Sequence, residues 1–123
     1  MQICVDHNPS QYQIQRFEPP LIWINQTVYQ QSLIIMPDQL IPHWRPLHFE
    51  DLSLSDLSPL LELGLEIVLI GAGRQSRFAS AQLNHLFFSK GIGLEVMTTA
   101  AAVKTYAVLS SEQRKVAAAL ILE

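Results

Sequence analysis

The feature that most constrains this chain is a short apolar run that ends on glycines. Ile67-Val68-Leu69-Ile70, with Leu65 just ahead of it, is too short for a typical helix and rich in β-branched side chains. Such a run predicts a strand covered on both faces, at the centre of a layered sheet. It stops at Gly71-Ala72-Gly73, where the backbone is free to turn sharply and to approach a neighbour closely. Arg74 and Arg77 follow before a helical pattern begins near Ser80. Strand, glycine turn, two cations and helix start together describe a candidate anion site, where N–H groups and guanidinium groups hold a carboxylate or phosphate.

Patterns on either side of that turn predict the other elements. Upstream, Tyr12 to Phe17 alternates in part and reads as an edge strand, and Pro19-Pro20 bends the chain. Leu21 to Ile24 is a second strand, Asn25-Gln26 a tight turn, and Thr27 to Met36 one longer strand. Pro37-Asp38 closes this antiparallel β-meander. Pro42, His43, Trp44, Arg45, Pro46 and His48 then crowd into a loop pinned by the indole. A short helix follows, capped by Ser55 or Ser58, with Pro59 in its first turn and Gly64 as its stop. Leu57, Leu60, Leu61 and Leu63 form its apolar stripe.

Downstream, Ser80 caps a helix from Ala81 to about Ser89, with its exit at Gly91. Gly93 to Met97 is a strand, Thr98 or Thr99 caps a helix reaching Leu109, and Lys115 to Leu122 is the last strand. Strands separated by helices of about ten residues imply crossovers and a mostly parallel sheet. The last connection is short, which leaves an antiparallel closing strand open. The expected organisation is one α/β domain over residues 1–123, a β-meander (1–38) followed by a crossover part (39–123).

Composition narrows the function classes. Apolar residues make up 49% and charged residues only 15%, where about 25% is usual. Either two sheet faces are deeply buried or some apolar surface is meant for a partner. A net charge of −3 with no basic run lacks the footprint of a dedicated nucleic-acid binder. The single cysteine, Cys4, rules out an intramolecular disulfide and a multi-cysteine zinc site. His7, His43, His48 and His85 show no ligand spacing, so no metal and no cofactor is predicted. No basic-then-apolar leader precedes residue 20, and no apolar run approaches the ~20 residues of a bilayer span. The expectation is a cytoplasmic chain that does not span a membrane.

Gly71-x-Gly73 lacks the third glycine of a dinucleotide fingerprint and the Lys-Ser/Thr ending of a P-loop. The candidate ligand site instead joins Gly71, Gly73, Arg74 and Arg77 to a second strand-to-helix turn at Thr98-Thr99. Lys104, Thr105 and Tyr106, in the helix after it, complete the set. Both turns open on one rim if their strands are neighbours. The competing reading has the arginines pairing with Glu66, Glu95 or a chain carbonyl and the threonines capping a helix. In that reading Tyr106 is a buried ring with its hydroxyl on a backbone partner. Asp51, Asp56 and Glu62 read as solvated charges, and Ser76 and Ser80 lack a local base. No catalytic residue is predicted.

Several stretches together carry a family resemblance: Ile70 to Arg74, Arg77-Phe78, Gly91 to Met97, Thr99, Ala102, Lys104-Thr105-Tyr106, Val108-Leu109 and Arg114 to Leu120. In order and spacing the chain resembles the small α/β domain family of archaeal and bacterial proteins that includes the mitochondrial assembly factor three of respiratory complex I. The resemblance implies a three-layer α/β fold, with a mixed central sheet between helices and a small antiparallel β-layer. It also implies a non-catalytic binding or assembly role with a protein partner. A small anionic ligand, or an unassigned enzymatic activity at the Gly71–Arg77 turn, is the alternative expectation; the oligomeric state is open. Ala72 stands where many members carry Thr, and Ala107 where they often carry Asn, so two polar groups are missing beside the candidate site.

Overall fold

The computed structural model describes residues 10–123; Cys4, His7 and the opening turn through Asn8-Pro9 lie outside the described residues. The strands are β1 (Ile14–Glu18), β2 (Leu21–Ile24), β3 (Thr27–Tyr29), β4 (Leu33–Ile35), β5 (Leu40–Ile41), β6 (Ile67–Gly71), β7 (Gly93–Met97) and β8 (Val116–Leu120). The helices are α1 (Leu54–Leu57), which runs into a 3-10 turn at Ser58–Glu62, α2 (Ala81–Ser89) and α3 (Thr99–Ser111). β1, β2 and β3 form an antiparallel sheet, and the larger sheet has the order β5-β4-β8-β6-β7. In the larger sheet β6 runs parallel to both β7 and β8, whereas β8 is antiparallel to β4. The closing strand is therefore both, parallel on one side and antiparallel on the other, and the sheet is mixed.

Period-two alternation divides the core into two layers. Leu33, Ile35, Leu69, Val116, Ala118 and Leu120 face α3 and the small sheet, where they meet Ile14, Phe17, Ile22, Val103 and Tyr106. Ile34, Val68, Ile70, Ala117, Ala119 and Ile121 face the other way, against Leu57, Leu60, Leu83 and Phe87 of the α1–α2 layer. Every residue of β8 is buried. Three of them are alanines, whose small side chains let the covering layers come close over the middle of the sheet.

The expected strand from Thr27 to Met36 is two strands in different sheets. Parity explains the break: in one continuous strand Val28 and Ile34 would share a face, yet Val28 is 47% exposed and Ile34 only 2%. Exposed Gln30 and Gln31 carry the chain from one sheet to the other, and the Ser32 carbonyl accepts from the Trp44 N–H at 2.8 Å. The indole pins its loop as expected, donating to the Asp56 carbonyl at 3.0 Å. The α1 cap is neither Ser55 nor Ser58 but Ser53. Asp56 there accepts from the Ser53 N–H at 2.9 Å and from its hydroxyl at 3.0 Å. Ser80 caps α2 as expected, accepting from the Leu83 N–H. Thr98, rather than Thr99, caps α3, which runs two residues past Leu109 to Ser111.

Candidate functional site

β6, β7 and β8 end together, and their ends are tied by hydrogen bonds. The Ala72 N–H donates to the Met97 carbonyl at 2.8 Å, and the Ile121 N–H to the Gly71 carbonyl at 2.9 Å. The Thr99 N–H donates to the Gly73 carbonyl at 2.9 Å. The Thr99 hydroxyl accepts from the Gly73 N–H at 2.9 Å and donates to the Ile121 carbonyl at 2.6 Å. Neighbouring strands thus bring the glycine turn and the paired threonines side by side on one rim. Their polar groups mostly face each other. Thr99 is 1% exposed with both hydroxyl roles filled, and Thr98 accepts from the Ala101 N–H at 3.2 Å.

Both glycines are required by close approach. A methyl on Gly71 would lie 2.9 Å from Thr99 Oγ1 and 3.0 Å from Thr99 Cα. Gly73 adopts φ +95°, and a methyl there would overlap the Glu123 carboxylate. That carboxylate stands against the turn and pairs with His48 Nδ1 at 2.6 Å, which raises the imidazole pKa, chiefly through the hydrogen bond. An acidic group of the chain itself therefore occupies the space beside Gly73.

The two arginines differ. Arg77 pairs with Glu50 at 2.8 Å, so its partner is neither Glu66 nor Glu95. Glu66 instead accepts from the Lys115 N–H at 2.7 Å and from Arg114 at 3.3 Å, which hold its carboxyl below the usual range. Arg74 is exposed and makes no ion pair or hydrogen bond among the described residues. It borders two depressions. One, of about 250 Å³, is lined by Phe17, Gly73, Thr98 and Glu123; the other, of about 460 Å³, by Pro20, Gln75, Arg77 and Glu123.

The remaining predicted residues sit further along α3. Lys104 is exposed on α3, and the Thr105 hydroxyl donates to the Ala101 carbonyl at 2.9 Å. Tyr106 is buried between the sheets with its hydroxyl donating to the Tyr12 carbonyl at 3.2 Å, and burial pushes its pKa up. Asp56 is not a solvated charge: Arg45 pairs with it at 2.6 Å, and its carboxyl drops to about 2. Glu62 pairs with Lys90 at 3.6 Å. Among the described residues no group of three histidine, cysteine or acidic side chains is placed to hold a metal ion.

Glu123, His48 and Glu50 were not legible as site residues, because each reaches the corner from a distant part of the chain. The Ser53-x-x-Asp56 spacing is a capping-box signal that the expected caps at Ser55 or Ser58 passed over.

The profile of a family described as "Protein of unknown function (DUF498/DUF598)" matches residues 14–121. The chain belongs to that family. Its DUF498/DUF598 core is 34% identical over 97 residues to the NADH dehydrogenase (ubiquinone) 1 alpha subcomplex assembly factor 3 of Danio rerio, covering 77% of this chain and 55% of that protein. The chain spans about half the length of the curated relatives it matches. An NMR structure of a Xanthomonas campestris protein is similar at 35% identity with a TM-score of 0.82, over 99% of this chain and 92% of that one. A crystal structure of a Bordetella parapertussis protein is similar at 25% identity with a TM-score of 0.86, over 93% and 98% of the two chains. Among the described residues no helix is long and apolar enough to cross a membrane.

Proposed function

We propose that this DUF498/DUF598 chain is a non-catalytic, assembly-factor-like module that binds a protein partner. The observation that carries this reading is the exposure of two large rings, Phe78 just ahead of α2 at 96% and Phe88 within its last turn at 84%. Covering a phenylalanine stabilises a complex by about 1.5–3 kcal/mol, and aromatic side chains are enriched at the cores of interfaces. Likeness to a complex I assembly factor supports the same class of role. The test is recovery of the tagged chain from its native host under mild conditions. A stoichiometric partner is expected, and its absence overturns the reading.

A second reading is a small anionic ligand at the glycine corner, with Gly71, Gly73, Arg74, Arg77, Thr98 and Thr99 around it and Lys104, Thr105 and Tyr106 as outlying members. Arg74, beside two depressions and without a partner among the described residues, favours it. Glu123 opposes it, because a carboxylate already stands there. Thermal unfolding with inorganic phosphate and with small dicarboxylates decides. Stabilisation that Arg74→Ala abolishes supports the site, and no stabilisation of the unaltered chain removes it.

A further inference from the structure

β7 is an edge of the larger sheet, and it lacks most of the devices that keep edges from pairing. β5, the opposite edge, has two residues, and β3 has three. β1 carries an irregularity between Ile14 and Arg16 and an Arg16–Glu18 ion pair. β7 has five residues in unbroken register with β6, no proline, and one charge, Glu95.

The free side of β7 has defined chemistry. The Gly93 N–H donates to the Glu66 carbonyl, and the Met97 carbonyl accepts from the Ala72 N–H, so residues 93, 95 and 97 turn their backbone groups toward β6. By the alternation of a parallel ladder, the N–H and C=O of Leu94 and Val96 turn outward, where no strand of the described residues lies. The side chains of Leu94 and Val96 are half-buried on the α2 face. Beside them an open groove of about 460 Å³ is lined by Phe87, Phe88, Ile92 and Leu94. Glu95 stands on the opposite face, exposed and without an ion-pair partner among the described residues.

We propose that β7 takes an extended segment of the protein partner as a sixth strand, one whose basic residue lies opposite Glu95 and whose flanking apolar residues sit beside Phe88. This rests on the partner-binding reading above and names its surface. Two outward N–H groups and two outward C=O groups demand a strand, since only extended backbone matches their spacing; the groove accepts alternate side chains. Charge disfavours a second copy as the occupant. The two-fold antiparallel pairing that uses all four groups sets Leu94 against Val96 and Glu95 against Glu95, like charges directly opposed.

The test is a titration of the isotopically labelled chain with the peptide acetyl-Ser-Val-Lys-Val-Thr-amide at millimolar concentration, followed by amide chemical shifts. The Leu94 and Val96 amides are expected to move with the Phe88 ring. Replacing the peptide lysine by glutamate should weaken binding about fivefold, and Glu95→Lys should reverse the preference. Unmoved Leu94 and Val96 amides overturn the proposal, as does equal binding of the two peptides or self-association through these amides. If the peptide fails while the tagged chain still holds a stoichiometric partner, only the β7 assignment falls. A wild-type chain that holds no partner removes the parent reading as well.

Discussion

Gly73 and Thr99 hydrogen-bond each other twice, backbone N–H to carbonyl and N–H to hydroxyl, each at 2.9 Å. The hydroxyl then continues to the Ile121 carbonyl, so one threonine closes the ends of three strands at a buried point. The corner is thereby a structural joint. Around it, the exposed Arg74 and the Glu123 carboxylate set its charge.

Thr99→Val leaves the Gly73 N–H and the Ile121 carbonyl buried without partners. It should cost about 2–4 kcal/mol of unfolding free energy, measured by urea denaturation. Thr99→Ser, which keeps the hydroxyl, should cost about 1 kcal/mol or less. Equal losses in the two variants would show that the methyl, and not the hydrogen bonds, matters.

Gly73→Ala introduces a side chain at φ +95° and into the Glu123 carboxylate. A destabilisation of about 2 kcal/mol or more is expected, of which about 1–2 kcal/mol belongs to the left-handed backbone. In a Glu123→Ala background the cost should fall to that backbone part. An undiminished cost would place the strain wholly in the backbone.

The Arg45–Asp56 pair makes stability depend on acid. The folded Asp56 carboxyl titrates at about 2, held down first by its hydrogen bond to Arg45 and also by the Ser53 groups. The unfolded value is near 3.9. Because the folded value is the lower one, the contribution is complete above about pH 4 and is lost as pH falls toward about 2. Arg45 is well exposed, so about 1 kcal/mol is expected after screening. Stability measured from pH 5 down to pH 2 should fall less steeply in Asp56→Asn than in the unaltered chain.

His48 should titrate above the ordinary histidine value, because Glu123 stabilises its charged form. A raised folded value means that the pairing contributes below about pH 6.5 and is lost as pH rises through the folded midpoint. An NMR titration of the ring protons checks this, and Glu123→Gln should return the midpoint toward the ordinary value. A midpoint unmoved by that change would contradict the pairing.

Phe78→Ser should leave stability within about 0.5 kcal/mol, since the ring is 96% exposed. If the partner-binding reading holds, retention of the partner should drop about tenfold, as removal of an interface aromatic commonly does. Unchanged retention would move the interface away from this end of α2.

Much of the architecture follows from local pattern alone. The run at Ile67–Ile70, the strand at Gly93–Met97, and Ser80 and Thr98 at helix starts depend on side-chain period and cap chemistry, which neighbours in sequence determine. What only the tertiary structure decided is everything that joins residues far apart in the chain. Glu123 reaches Gly73 and His48, Glu50 reaches Arg77, and the Thr99 hydroxyl is consumed by Ile121. The same holds for the break at Gln30–Ser32, where burial on two different sheets overrides a continuous run of strand formers. Local sequence encodes which backbone form is favoured, but a polar group's partner is whichever residue the packed layers bring within about 3 Å of it.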